Sequence, residues 1–357
     1  RERLGYTGDG QLTAETAMLL LDTKELYRKW YQDILDSQGA ETGHIPHTAP
    51  FLGGGGGPGG WGCAVYQVPL AWAKIYGDDS LLVQGYDAIL RWFDYMDAHS
   101  EKGLVVREEE GGWCLGDWCF PASEEKEQLP EAFINTFYYL HGLQEMMQIS
   151  EKMNNKLPIR FAEREKNVKN AFLDAYFDPE TEDFCEGRAA GNAYGLALGL
   201  GDERTKKHLV EKYEALERFD TGIFGTSMLL EQLFSIGAGD LAVRLLTNDS
   251  EAASFAHMKR NGATTLWERW EKATGSGMNS HNHPMMGSID SWFYKYLLGI
   301  VPDAEHPGFD RFTIHPYVVD DLEFAEGEFN SVKGMIRSGW SKKNGVLSLN
   351  VTIPANS

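Results

Sequence analysis

Apolar residues recur every three to four positions through most of the first 300 residues, the spacing of helices that bury one face. The pattern predicts helices over 10–37, 63–76, 79–98, 130–152, 158–175, 190–199, 203–216, 225–236, 238–247 and 285–298. Leu82, Tyr86, Ile89, Leu90, Phe93 and Met96 make one such stripe, and Gly77-Asp78-Asp79-Ser80 supplies a helix stop followed by N-cap residues. Phe177-Asp178-Pro179-Glu180 and Gly237-Ala238-Gly239-Asp240 punctuate two later pairs in the same way. Helix, short turn and helix repeat without the interleaved strands that a parallel sheet requires. About ten helices are counted, against twelve in an (α/α)6 barrel, and a truncated N-terminus accounts for the deficit. The rival α-solenoid lacks any visible self-similarity at about 34 or 40 residues.

After Pro302 the period changes. Residues 312–316, 334–340 and 346–351 alternate with a period of two, as antiparallel strands do. The expected architecture is therefore mainly α. Residues 1–301 form an (α/α)6 barrel lacking its first helices, and 302–357 begin a C-terminal antiparallel β-sandwich.

Composition narrows the partners. A net charge of −20 repels phosphate backbones and anionic lipid heads, which argues against nucleic acid and membrane partners and favours a neutral ligand. Much of that charge also simply serves solubility. No apolar run of about 18 residues spans a membrane. The first residues, Arg1-Glu2-Arg3-Leu4-Gly5, show neither an initiator Met nor a signal pattern, as in a fragment. The four cysteines, Cys63, Cys114, Cys119 and Cys185, form no CxxC pair, so reduced, buried thiols are expected rather than a zinc site. Many of the 10 Trp, 15 Tyr and 18 Phe must sit in the core, but an excess of Trp also suits a sugar site, where an indole covers the apolar face of a ring.

Candidate chemistry clusters in loops. Glu2 and Asp9 bracket Tyr6 in a glycine-rich segment, where they either face a cavity or belong to a solvated loop with Asp9 as an N-cap. Glu268 stands between Trp267 and Trp270; burial beside indoles raises a carboxyl pKa, as general acid/base work demands, whereas a surface pair with Arg269 is the plain alternative. Trp61 follows the run Gly53–Gly57, which lacks the GK[ST] ending of a phosphate loop. Gly112-Trp113 and Gly116-Asp117-Trp118 repeat the combination of glycine, acid and indole that a sugar pocket uses. His281-Asn282-His283 suits one histidine donating to a hydroxyl better than a metal site, and His44 and His47 read as loop residues. Neither a G-x-S-x-G elbow nor an H-E-x-x-H helix is present.

The ordered motifs RERLGYTGD, GWGCA, LGDW, TGIFGTS, TTLWERW and NHPMMGSIDSWFYKYLLGI resemble the α-L-rhamnosidases of glycoside hydrolase family 78, from residue 1 to about 320. The resemblance implies an (α/α)6 barrel with a C-terminal β-sandwich, and release of terminal α-linked L-rhamnose with inversion, without metal or organic cofactor. It implies Glu2 as general acid and Glu268 as general base, and places Asp9, Trp61, Trp118 and His283 at the rhamnose pocket. Tyr6 stands where the family usually has Trp, and Cys63 replaces a usual Asp. Asp117 and Trp267 join the expected substrate-binding set. Inversion needs the two carboxyl groups about 6.5–9.5 Å apart, with room for water between base and sugar. The implied partner is a rhamnose-containing oligosaccharide, polysaccharide or glycoside of bacterial context, and a homodimer is left open. Two other readings stand beside this one: a six-hairpin glycosidase for a different sugar, and a carbohydrate-binding protein weakened by Cys63.

Overall fold

The computed structural model describes all residues except 1–3, 54, 153–157, 250–252, 273–279 and 356. Thirteen α-helices occur among the described residues. They are α1 Thr7–Leu12, α2 Ala14–Leu20, α3 Lys24–Ser37, α4 Ala64–Tyr76, α5 Ser80–Ala98, α6 Glu131–Lys152 and α7 Ile159–Tyr176, then α8 Gly191–Ala197, α9 Glu203–Leu216, α10 Ile223–Ser235, α11 Gly239–Thr247, α12 Phe255–Arg260 and α13 Ile289–Trp292.

Hydrophobic surface sorts these helices into two rings. In α4, α8 and α10 buried residues occur around most of the circumference, so these helices must be enclosed by others. In α3, α7 and α9 one stripe is buried, such as Thr205, Leu209 and Tyr213 of α9, and the rest faces solvent. The enclosed helices run in a closed circle. α2 packs on α4; the Tyr66 hydroxyl of α4 donates to the Tyr138 carbonyl of α6 at 3.0 Å; Phe133 and Phe137 of α6 meet Tyr194 of α8; and α8 packs on α10, which packs on α13. The circle closes where the Ser291 amide of α13 donates to the Thr16 hydroxyl of α2 at 3.2 Å, 275 positions away in sequence. Outside lie α3, α5, α7, α9 and α11. This is the expected (α/α)6 barrel.

One interlock shows how the two rings are joined. Pro69 lies inside α4 and has no N–H to donate to the carbonyl one turn back, that of Val65. The Tyr31 hydroxyl of α3 supplies the missing donor, at 2.9 Å from that carbonyl, from a fully buried position. Tyr31 reaches it beside Gly85 of α5, where a Cβ would come within 1.7 Å of the phenol oxygen. Tyr31→Phe leaves the Val65 carbonyl buried without a partner, and we expect it to destabilise the fold by about 1–3 kcal/mol. Chemical denaturation reads this, and an unchanged midpoint would reject the interlock.

Several boundaries differ from the sequence expectation. The helix expected over 10–37 falls in three helices, because Thr13 separates α1 from α2 and the extended Leu21 ends α2 before α3 starts at Lys24. Apolar residues continue in phase across that break, so periodicity passed over it. The helix expected over 285–298 shrinks to α13 and a π-helical turn, Phe293–Leu297, since residues 284–288 form a turn in which the Gly287 amide bonds to the Pro284 carbonyl. α12, six residues capped by the Ser254 hydroxyl, is too short to show a period.

The strands are β1 Ser100–Glu101, β2 Leu104–Val105, β3 Phe177–Asp178, β4 Asp183–Phe184, β5 Ile300–Pro302, β6 Phe312–Ile314, β7 Phe324–Ser331, β8 Gly334–Lys343 and β9 Val346–Thr352. β1–β2 and β3–β4 are hairpins in barrel loops, and β5 pairs antiparallel with β6. β7, β8 and β9 form an antiparallel meander. β7 was not expected, because its alternating positions carry Glu326, Glu328 and a glycine, and so little apolar signal. One face of β8 buries Ile336, Ser338 and Trp340 against the end of the barrel. There the Trp340 indole donates to the Leu297 carbonyl at 2.8 Å and the Ser338 hydroxyl to that of Leu298 at 2.6 Å. All four cysteines are buried and free. No described helix is long and apolar enough to cross a membrane.

Candidate active site

The segment from Gly5 to Gly10 is held on several sides. Tyr6 forms an antiparallel bridge with Thr48; the Ala49 amide donates to the Gly5 carbonyl at 2.9 Å, and the Thr7 amide to that of His47 at 2.8 Å. Gly8 lies against the Trp61 indole, which a Cβ would approach to 2.7 Å, and Gly10 lies against Trp30, to 2.2 Å. Only glycine permits both approaches, so two faces of this turn are closed by indoles. Asp9, between them, points to neither, and its Oδ1 meets His283 Nε2 at 2.6 Å.

His283 is presented by a short pairing of two loop segments between α12 and α13. The Glu268 amide donates to the Ser280 carbonyl at 2.8 Å, and the His283 amide to the Leu266 carbonyl at 2.9 Å. The Ser280 amide in turn donates to Glu268 Oε2 at 2.6 Å, anchoring a side chain that is 8% exposed. His283 Nδ1 is 3.9 Å from the same Oε2. An ionised carboxylate only accepts, so the Nε2 facing Asp9 carries the hydrogen and Nδ1 is turned to Glu268. Asp9, His283 and Glu268 thus form one array from opposite ends of the chain.

The indoles beside Glu268 in sequence have partners of their own. Trp267 is buried and stacks on His281 with centroids 4.7 Å apart, and Trp270 stacks on Phe219 at 5.0 Å while donating to the Thr221 carbonyl at 2.8 Å. The Arg269 guanidinium lies 5.9 Å over the Trp118 ring. What encloses Glu268 is therefore the pairing of residues 266–268 with 280–283 as much as its neighbouring indoles. Trp61, also buried, packs on His47 at 5.3 Å and edge-on to Phe224 at 5.1 Å.

Asp117 has a task different from the one expected. It is buried, and its carboxylate accepts the amides of Gly222 at 2.7 Å, Phe224 at 2.9 Å and Gly225 at 3.0 Å, the open donors at the start of α10. Burial outweighs these three amides, which lower its carboxyl, and leaves it raised to about 6. Asp117 therefore fixes α10, and with it Phe224, rather than offering a free carboxylate to a ligand. Trp118 continues the clamp, its carbonyl accepting the Ile223 amide at 2.9 Å. Cys63 is equally enclosed: its thiol donates to the Gly60 carbonyl at 3.0 Å, and burial pushes its pKa up, so it is an inert part of the start of α4.

Asp9, Trp61, Trp118, Glu268 and His283 all lie at or before the N-terminal ends of inner helices, on one end of the barrel. Glu2 lies outside the described residues. His47 and Phe224 belong to the same wall, and Ser280 anchors Glu268. No sequence signal marks the first two, because a histidine after Ile-Pro and a phenylalanine opening a helix are commonplace in loops and cores. Among the described residues no three His, Cys, Asp or Glu side chains converge as metal ligands.

Known proteins share this fold. The family model of the bacterial α-L-rhamnosidase six-hairpin glycosidase domain matches residues 1–297, and that of the bacterial α-L-rhamnosidase C-terminal domain matches residues 299–357. The chain is 31% identical over 377 aligned positions to an α-L-rhamnosidase of Formosa agariphila, covering 99% of this chain and 39% of that protein. It is 29% identical over 372 positions to the α-L-rhamnosidase of Streptomyces avermitilis, covering 99% of this chain and 34% of that protein. The crystal structure of the latter enzyme complexed with L-rhamnose superposes with a TM-score of 0.89 at 28% identity, over 100% of this chain and 34% of that one. The α-L-rhamnosidase structure from Dictyoglumus thermophilum gives 0.88 at 29% identity, over 100% of this chain and 40% of that one. The chain spans between a third and two fifths of the length of these relatives. From the closed ring of helices, the carboxylate–imidazole array at its mouth and these matches, the chain belongs to the bacterial α-L-rhamnosidases of the six-hairpin glycosidase type, a family of glycoside hydrolases.

Proposed function

We propose that this site hydrolyses terminal α-L-rhamnosides of oligosaccharides, polysaccharides or glycosides, with inversion at the anomeric carbon. In this reading Glu268 is the general base and Glu2 the general acid. Residues 1–301 are the catalytic unit and 302–357 the start of a separate β domain. The observation that carries the reading is Glu268 itself. Its carboxylate is almost enclosed, one oxygen is anchored by the Ser280 amide, and it stands 3.9 Å from an imidazole held by a second carboxylate.

The chemistry follows from these positions. Water between Glu268 and the sugar gives a proton to the carboxylate as its oxygen forms the new bond to the anomeric carbon. The old glycosidic bond breaks, and Glu2 protonates the departing oxygen. The reaction proceeds on opposite ring faces, so the configuration inverts. Asp9 and His283 hold sugar hydroxyls, and the rings of Trp61 and Trp118 border the apolar side of the sugar, with Tyr6 adding a hydroxyl. Relatives named α-L-rhamnosidases, one of them solved with L-rhamnose, support the choice of sugar.

The test is hydrolysis of an aryl α-L-rhamnoside followed by NMR from the first turnovers. The β-anomer of L-rhamnose should appear first and then mutarotate. First appearance of the α-anomer would refute inversion. A panel with α-L-arabinoside, α-D-mannoside and β-D-glucuronide addresses the sugar, and faster turnover of any of these would reject rhamnose as the preferred substrate.

A further inference from the structure

Between α5 and α6, residues 106–115 run as a strap over the glycine-rich loop that leads to Trp61. The first amides of the strap, those of Val106 and Arg107, both donate to the His99 carbonyl at 3.0 Å, where α5 ends. Farther along, strap and loop are in backbone contact. A Cβ on Gly112 would come within 1.6 Å of the Gly56 carbonyl oxygen, and one on Gly57 within 2.6 Å of the Trp113 carbonyl oxygen. The Cys114 thiol donates to the Pro58 carbonyl at 3.4 Å. Whatever holds the strap down therefore also covers residues 55–58.

One ion pair ties the middle of the strap to α5. His99 Nε2 stands 3.2 Å from Glu109 Oε2, and both side chains are largely enclosed. The other ring nitrogen, Nδ1, is 2.8 Å from the Tyr95 carbonyl, which only accepts, so Nδ1 carries a hydrogen. A neutral imidazole has a single N–H, and with it on Nδ1 the ring would turn a bare nitrogen toward the carboxylate. Attraction between the two comes with a second proton, which makes His99 an imidazolium.

The other groups around Glu109 do not take over that part. His44 lies with its ring 5.3 Å from that of Tyr95, and its Nε2 is buried under Gly56 without a partner among the described residues. Burial lowers the pKa of His44 more than Glu109 raises it, and the neighbouring His99 lowers it further. The Tyr95 hydroxyl is pushed up by burial and by Glu109, so it stays un-ionised. On the strap, Glu108 accepts the Cys114 amide at 2.8 Å, burial pushes the Cys114 thiol up to about 12, and Arg107 pairs with Glu101 at 3.1 Å. From α6, Glu131 adds a further carboxyl, raised by burial and by Glu108.

We propose that His99 and Glu109 form a pH-sensitive latch, closed on the glycine-rich loop while the pair holds its proton and released when the proton leaves. Histidine is the side chain that changes charge between about pH 5 and 8. A proton bound in the closed form and not in the open one favours closure at low pH, and that preference is lost as pH rises. The latch is independent of the sugar chemistry proposed above, since it acts on the strap and the loop alone.

Hydrogen exchange of the whole chain tests this, with each amide's rate divided by its intrinsic rate at the same pH. Between about pH 5.5 and about pH 8.5, protection of peptides covering residues 106–115 should fall about fivefold, the scale of one ion pair. Peptides from α6 should keep theirs, which separates the latch from global unfolding. Glu109→Gln keeps the shape of the side chain and removes its charge, so the fall should shrink to within about twofold. Glu109→Ala should show the high-pH protection of the wild type at both ends of the range, and it gives the answer should the amide variant not fold. A wild-type strap with protection that does not change with pH overturns the proposal. So does a full fall retained in either variant, which would make Glu109 a merely structural contact and place the titrating group elsewhere.

Discussion

Glu268→Gln is expected to lower kcat on an aryl α-L-rhamnoside by about 10²–10⁴-fold, the contribution of a positioned general base. The amide has the size of the carboxyl, and its carbonyl oxygen still accepts from the Ser280 amide, now 2.6 Å from Oε2. The pairing of residues 266–268 with 280–283 and the bond between Asp9 and His283 do not depend on the charge. KM and the unfolding midpoint should therefore move little, which separates loss of a base from loss of a fold. Turnover above one tenth of wild type would remove Glu268 from the role of base.

Glu2→Gln should fail in a manner that depends on the leaving group. A general acid matters most where the departing oxygen is basic, so a sugar or alkyl rhamnoside should lose about 10²–10⁴-fold in kcat. A nitrophenyl rhamnoside should lose far less, because nitrophenolate departs without a proton. The measurement is the ratio of the two losses in one variant. Equal losses on both substrates would deny Glu2 the role of acid. Glu2 lies outside the described residues, and the family motif carries its role.

The two members of the expected pair thus differ in their support. Glu268 now has a physical setting, though not quite the one its sequence neighbours suggested. Trp267 and Trp270 announce burial, yet they stack on His281 and Phe219, while the carboxylate is fixed by a backbone pairing twelve positions on. Asp117 shows the opposite case. An acid next to tryptophan in a glycine-rich loop looks like a sugar ligand, but the amides that claim it belong to α10, more than a hundred positions later. Cys63, which marks a departure from the family pattern, is removed from the chemistry by burial.

Fold class was legible because helix formation is local. Apolar period, glycine stops and N-cap residues lie within a few positions of each other, and they located most inner and outer helices to within two or three residues. The glycines of the first segment and the reactive carboxyls were likewise visible as residues. Their directions were not. Asp9 meets His283 across 274 positions, and Thr16 meets Ser291 across 275, because the barrel closes on itself. A side chain's task is set by which partners surround it, and in a closed ring those partners come from the far end of the chain. Local order could therefore name the acid, the histidine and the tryptophans, while only closure decided which of them face the site, which cap a helix and which fill the core.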